Sequence, residues 1–240
     1  MRTLVITPCS AKKRGSPPDL ARAADLADPD RRREFETRLA AYASPAMRMY
    51  AGTHHRLVLE GLQAVWDRWG RGVVELSVLS GGYGILRADE EIIPYDVSLN
   101  EFEEAELADW IGRLEVHGKT AHLVRDYDLV FYLLSGRYLS SLGLPLEIPA
   151  TIQQIVLTTQ EDAALVPALP GLHPLVADGP VAAQRWHVKA PHVRGFLFGR
   201  LCGQISRFGP TVLEWLYRYP GHTERLFYKR ARWRPQFPLW

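Results

Sequence analysis

Four short runs of β-branched and large apolar residues constrain this chain more than any other feature. They are residues 3–7 (TLVIT), 73–79 (VVELSVL), 127–134 (YDLVFYLL) and 151–159 (TIQQIVLTT). Each run is almost continuously apolar and lacks strict alternation, the pattern of a strand buried on both faces. Helical spacing lies between them. Residues 34–43 favour helix, and over residues 53–69 Leu57, Val58, Leu62, Val65, Trp66 and Trp69 recur on one side. Ser98 and Glu101 have capping-box spacing, and Phe102, Leu107, Trp110, Ile111 and Leu114 follow as one apolar face. Strands that alternate with helices predict an α/β fold: a small, mostly parallel sheet of about four main strands flanked by helices. Residues 11–33 are polar and read as a surface loop with one weak helical turn. The predicted core domain spans residues 1–160. Residues 161–240 are predicted as an extension packed on it: a long Ala/Pro/Gly-rich connection, helical segments at 196–208 and 211–217, and an irregular basic and aromatic tail.

The composition excludes several classes. A hydrophobic fraction of 47% with 23% charged residues is that of a chain with a packed core, and rules out wholesale disorder. Cys9 and Cys202 are too few for a disulfide framework and form no CxxC pair, so a reducing compartment is expected. The apolar run at residues 4–6 is too short for a signal-peptide core, and no stretch approaches the roughly 20 apolar residues of a membrane helix. The expectation is a cytoplasmic protein with no membrane partner. The formal charge of +2 hides segregation. Acid collects at residues 89–91 and 101–106, while base collects at Lys12-Lys13 and in the last sixteen residues.

In a parallel sheet, ligands bind beyond the carboxyl ends of the strands. Those ends carry Pro8-Cys9-Ser10-Ala11-Lys12-Lys13, Ser80-Gly81-Gly82-Tyr83-Gly84, Ser135-Gly136-Arg137-Tyr138 and Thr158-Thr159. Small residues followed by two lysines suit an anion, and Ser10, Lys12, Lys13 and Arg137 are candidate phosphate contacts. Cys9 is a candidate nucleophile if a neighbouring cation activates it; otherwise it is a small buried residue. Gly81 and Gly82 allow a ligand close to the backbone, and Tyr83 between glycines suits a ring held against a base; the alternative is a tight turn. Asp96 follows the rigid Pro94-Tyr95 pair and is a candidate for orienting water, or else a helix cap. Adjacent His54 and His55 point to different sides of a helix, and no HExxH or Cys/His cluster exists, so no metal and no cofactor is expected. In the tail, Arg225, Lys229, Arg230, Arg232 and Arg234 interleave with Phe227, Tyr228 and Trp233, which suits nucleic acid; the alternative is aromatic packing with solvated arginines.

Residues 79–86 (LSGGYGIL) with Ile93-Pro94-Tyr95 resemble the "SG-x-YG-L-x…I-x-PY" signature of the YaaA family, bacterial proteins linked to peroxide stress and DNA binding. Pro8-Cys9-Ser10-Ala11-Lys12-Lys13, Ser80–Leu86 and Ile93–Asp96 are also similar to the "ACSxxK…LSAKYGLL…IxPYD" pattern of a related uncharacterised domain family, whose "LYxG" element Met49-Tyr50-Ala51-Gly52 matches. The resemblance spans residues 3 to 140. It implies a fold like that of uracil-DNA glycosylases and a nucleic-acid or modified-base ligand, with DNA as the expected partner. Within it, Tyr83 would stack on the base, and Ser10, Ser80 and the Gly81-Gly82 backbone would contact base or phosphate. Lys12, Lys13 and Arg137 would hold phosphates, and Asp96 would serve N-glycosidic cleavage. A non-catalytic DNA-binding stress protein, and a nucleobase or nucleotide enzyme working through a covalent adduct on Cys9 or Lys13, remain open alternatives at this level.

Overall fold

The computed structural model describes residues 1–15, 17–177 and 179–223; the tail candidates Arg230 and Arg232 lie outside the described residues. In chain order the elements begin with β1 (Thr3–Pro8), α1 (Ala23–Ala27), α2 (Pro29–Arg38), β2 (Ser44–Pro45), α3 (Ala46–Met49) and α4 (Thr53–Trp69). There follow β3 (Glu75–Ser80), β4 (Gly84–Arg87), β5 (Glu91–Ile92), α5 (Glu104–Arg113), α6 (Val116–Val124), β6 (Leu129–Tyr132) and α7 (Gly136–Ser140). The last are β7 (Gln153–Thr158), β8 (Leu172–Val176), α8 (Gly179–Trp186), α9 (Val193–Phe208) and α10 (Thr211–Arg218). No described helix is long and apolar enough to cross a membrane.

The fold is α/β. Six strands form one sheet in the order β4-β3-β1-β6-β7-β8, parallel throughout except for antiparallel β4. The four apolar runs are its four central strands. Two further strands, β4 and β8, form its edges. Gly84–Arg87 pairs back on β3, so Gly81-Gly82-Tyr83 is a hairpin turn. Leu172–Val176 lies in what reads as a loose connection, because Gly171 and Pro174 mask its β pattern. The polar stretch of residues 11–33 holds α1 and the first half of α2, and the charged faces of the two helices conceal Leu26 and Phe35 in the core. The capping box also shifted. Ser98 caps a single 3-10 turn, its Oγ accepting from Asn100 N at 3.3 Å, while α5 starts at Glu104 with Glu103 and Glu106 forming the box.

Side chains alternate across the sheet. Leu4, Ile6, Val130, Tyr132 and Val156 face one helical layer, with Leu26, Phe35, Trp110, Leu123 and Leu139. Val5, Phe131, Leu133, Ile155 and Leu157 face the other, with Val58, Leu62, Val65, Phe198, Leu201 and Leu216. Each fully buried aliphatic side chain contributes roughly 1.5–3 kcal/mol. The second layer is dominated by α4 and α9. Both run from the carboxyl ends of the strands, and each stops at a glycine with positive φ, Gly70 at 86° and Gly209 at 89°. They touch along their length because Gly61 and Gly199 remove side chains from the contact; a Cβ on Gly61 would lie 2.8 Å from Gly199 Cα.

That contact gives opposite expectations for two helix glycines. Gly61→Ala gains about 1 kcal/mol of helix propensity but loses about 1–3 kcal/mol by forcing α4 from α9, for a net loss of stability. Gly203→Ala on α9, where a Cβ meets nothing within 4 Å, keeps the gain. Urea denaturation of the two variants checks the pair, and equal effects would refute the close-packing account.

Candidate functional site

In strand order the parallel strands read second, first, third, fourth, fifth, since β3 lies on one side of β1 and β6 on the other. The chain reverses direction across the sheet between β1 and β6. The crevice beyond their carboxyl ends is therefore the topological switch point, where open α/β sheets bind ligands. Cys9 follows β1 and Tyr138 follows β6, and they meet across this point with Cys9 Sγ 3.1 Å from Tyr138 Oη. The Gly81 N–H, arriving from β3, donates to the same sulfur at 3.4 Å.

Behind the crevice lies a chain of buried hydroxyls. Ser80 Oγ accepts from Gly82 N at 3.3 Å and Tyr83 N at 3.0 Å. With both lone pairs engaged, its proton goes to Tyr95 Oη at 2.7 Å, and Tyr95 meets Tyr50 Oη at 3.0 Å. Burial holds both phenols well above their usual range, so they stay protonated. Tyr50, Ser80 and Tyr95 come from three separate motifs and join here into one clasp.

Gly81 and Gly82 are buried, and their amides are engaged by Cys9 and Ser80, so neither offers an edge to a ligand. A Cβ on Gly81 would lie 2.8 Å from Val97 O, and one on Gly82 would lie 2.8 Å from Leu26 Cδ1 and from the Tyr95 ring. They are glycines because protein packs against them. Ser80 and Tyr95 are likewise enclosed and shape the crevice from behind. Tyr83 turns away from the switch point. Its ring meets Tyr95 edge-on at 5.4 Å, lies 4.9 Å from the Arg32 guanidinium, and lines a separate cavity of about 610 Å³ with Glu36, Arg113 and Lys119.

The remaining candidates gather. Ser10 Oγ donates to Lys12 O at 2.7 Å and accepts from Gly52 N at 3.1 Å, which pins the loop after β1 to the start of α4. Lys12 is exposed. Lys13 is half-buried, with Nζ 4.0 Å above the Tyr95 ring. Burial lowers its ammonium pKa, while Cys9, Asp96 and Glu101 act in the opposite direction. Asp96 is exposed and caps no helix; it lines a cleft of about 420 Å³ with Arg22, Glu101, Phe102 and Glu106. Arg137 is half-buried and donates to the Phe102 carbonyl, so its fork is partly committed to holding that cleft wall. Cys9, Lys13, Asp96, Arg137 and Tyr138 thus share one side of the crevice.

On its other side stand Thr7 and Asp162, which no sequence motif marks, with Ser135 from the strand-end motif after β6, His54, and Arg194, one of several scattered arginines in the sequence. His54 Nε2 lies 3.1 Å from Thr7 Oγ1, and burial beside Arg194 lowers the imidazole to about 3. His55 is buried on the core side, bonded to Met47 O at 2.9 Å and also lowered. Arg194 lies 140 residues after His54, and no local pattern connects them. Among the described residues, no three His, Cys, Asp or Glu side chains group to hold a metal ion. No protein-family model matches the chain, and no curated protein matches it.

Two outcomes are expected. Ser80→Ala strands two amides and the Tyr95 hydroxyl and costs at least about 2 kcal/mol in urea denaturation, whereas an unchanged midpoint would show the clasp to be idle. His54 and His55 are neutral when folded and take up protons on unfolding. Their contribution to stability is therefore full above about pH 6.5 and declines as pH falls below it. Denaturation at about pH 7.5 and about pH 5 measures that decline, and His54→Gln reduces it.

Proposed function

We propose that the protein binds nucleic acid and takes a base into the side of the crevice lined by Cys9, Lys13, Asp96 and Phe102. The observation that carries this reading is the meeting of exposed or half-buried cations with a carboxylate-lined cleft at the switch point. Lys12, Lys13 and Arg22 suit backbone phosphates. The half-buried Phe102 ring, stacked on Trp110 at 5.7 Å, gives the cleft an apolar wall for a base displaced from its stack. The exposed carboxylate of Asp96 in the cleft supports a role in orienting water or stabilising a cationic sugar, so N-glycosidic cleavage is the reaction proposed. DNA is the partner proposed, and the resemblance to DNA-linked families supports that choice without adding geometry.

Salt-dependent binding to oligodeoxynucleotides tests the partner. The double variant Lys12→Ala/Lys13→Ala reduces the slope of log affinity against log salt by about 2. A slope equal to the native one removes the lysines from the interface. Mass-resolved base release from damaged and hypermodified DNA tests the reaction. Asp96→Asn lowers release by about a hundredfold or more while binding persists.

A second reading is favoured by one observation: Lys13 is half-buried with its ammonium destabilised, in the field of Cys9. Such a lysine suits covalent chemistry on a nucleobase or nucleotide. Intact-mass measurement after incubation with candidate substrates separates the two, since an adduct on Lys13 or Cys9 belongs to this reading alone.

A further inference from the structure

The side of the crevice opposite Asp96 carries a different chemistry. Helices α4 and α9 start side by side at the strand ends. A Cβ on Gly195 would lie 2.7 Å from the His54 carbonyl oxygen, so the first turns are in direct contact. Neither helix has a side-chain cap: Gly52 precedes α4, and His192 precedes α9 without bonding its amides. The Val193 N–H donates to the Ala190 carbonyl of the 3-10 turn that leads into α9, while the positive dipole ends of both helices face the same spot.

Arg194 stands at that spot. It is 7% exposed, and Nη2 donates to Ser135 Oγ at 2.6 Å. Its Nε is buried without a partner, as is His192 Nδ1 beside it. Burial lowers the guanidinium pKa, and Asp162 offsets part of that, but the Asp162 carboxylate already accepts from Gly136 N at 2.9 Å. Among the described residues no carboxylate forms an ion pair with Arg194. A buried guanidinium with an unused donor is costly unless something fills the place of its counter-ion. His54, neutral and turned to Thr7, adds no competing charge.

We propose that the paired N-termini of α4 and α9, with Arg194 and Ser135, form an oxyanion site for the phosphate group of a phosphate ester. It places one phosphate on the far side of the crevice from Asp96. The chemistry fits a polynucleotide backbone or a free phosphomonoester equally, so the site does not require nucleic-acid binding.

The test uses the full chain and inorganic phosphate at constant ionic strength, with chloride as the reference salt. Phosphate raises the melting temperature of the native protein above the chloride value. Arg194→Met is as stable as the native protein without phosphate and shows no rise, because the charge serves the ligand and not the fold. Equal melting in the two salts, or a rise preserved in Arg194→Met, overturns the proposal. If Arg194→Met does not fold, Arg194→Lys decides: it keeps the charge without the fork and binds phosphate about tenfold more weakly, while native affinity overturns the site. Parallel titrations with a 5′-mononucleotide and an oligodeoxynucleotide identify the source of the phosphate by the larger rise. Oligodeoxynucleotide binding without any phosphate response removes this site and leaves the nucleic-acid reading standing. A phosphate response without oligodeoxynucleotide binding does the reverse.

Discussion

The hydroxyl of Ser80 is the contact on which the architecture of the crevice depends. It closes the β3–β4 hairpin by accepting the Gly82 and Tyr83 amides, and through Tyr95 it reaches Tyr50 ahead of α4. Three segments that leave the sheet in different directions are held together by one fully buried oxygen and two phenols. Since the hairpin is fixed, Gly81 N can point at Cys9, and since Tyr95 is fixed, its ring supports Lys13. The groups open to a ligand are placed by groups that no ligand touches.

Around that anchor the switch point divides the crevice into two unlike halves. One is lined by Asp96 and Glu101 with Lys13 beside them, so acid and base stand side by side. The other is formed by two helix starts and a guanidinium, and its field is uniformly positive apart from Asp162. The proposed nucleic-acid ligand would meet this division with its phosphate on the positive half and its base on the mixed half.

The parts of this arrangement that were legible in the sequence are those with a local signature. The central strands are continuous apolar runs, and α4 has its stripe and its terminating glycine, so both are placed within a residue or two. Position at the strand ends likewise marks Cys9, Lys13 and Arg137. What the sequence conceals is non-local. Whether Gly81-Gly82-Tyr83 cradles a ligand or turns a hairpin depends on Val97, Leu26 and Tyr95, which arrive from elsewhere in the chain. Strand β8 is short and interrupted by proline, and α2 is so charged that its buried Phe35 carries no pattern. Arg194 is one of three arginines in α9, and nothing in the local sequence sets it apart. Its meaning comes from the glycine-lined contact that lays α9 parallel to α4.

That contact also bears on the order in which the molecule can be assembled. The clasp of Tyr50, Ser80 and Tyr95 is complete in the first half of the chain, and the strands that make the switch point, β1 and β6, are complete by residue 132. Helix α9 emerges much later, yet it supplies much of the cover for one face of the sheet. Until it docks, Val58, Leu62, Phe131 and Ile155 remain open to solvent on a nascent chain, a surface that invites chaperone engagement or association between incomplete chains. The same docking event that removes this surface also delivers Arg194 to the crevice, so protection of the sheet and completion of the positive half occur in a single step.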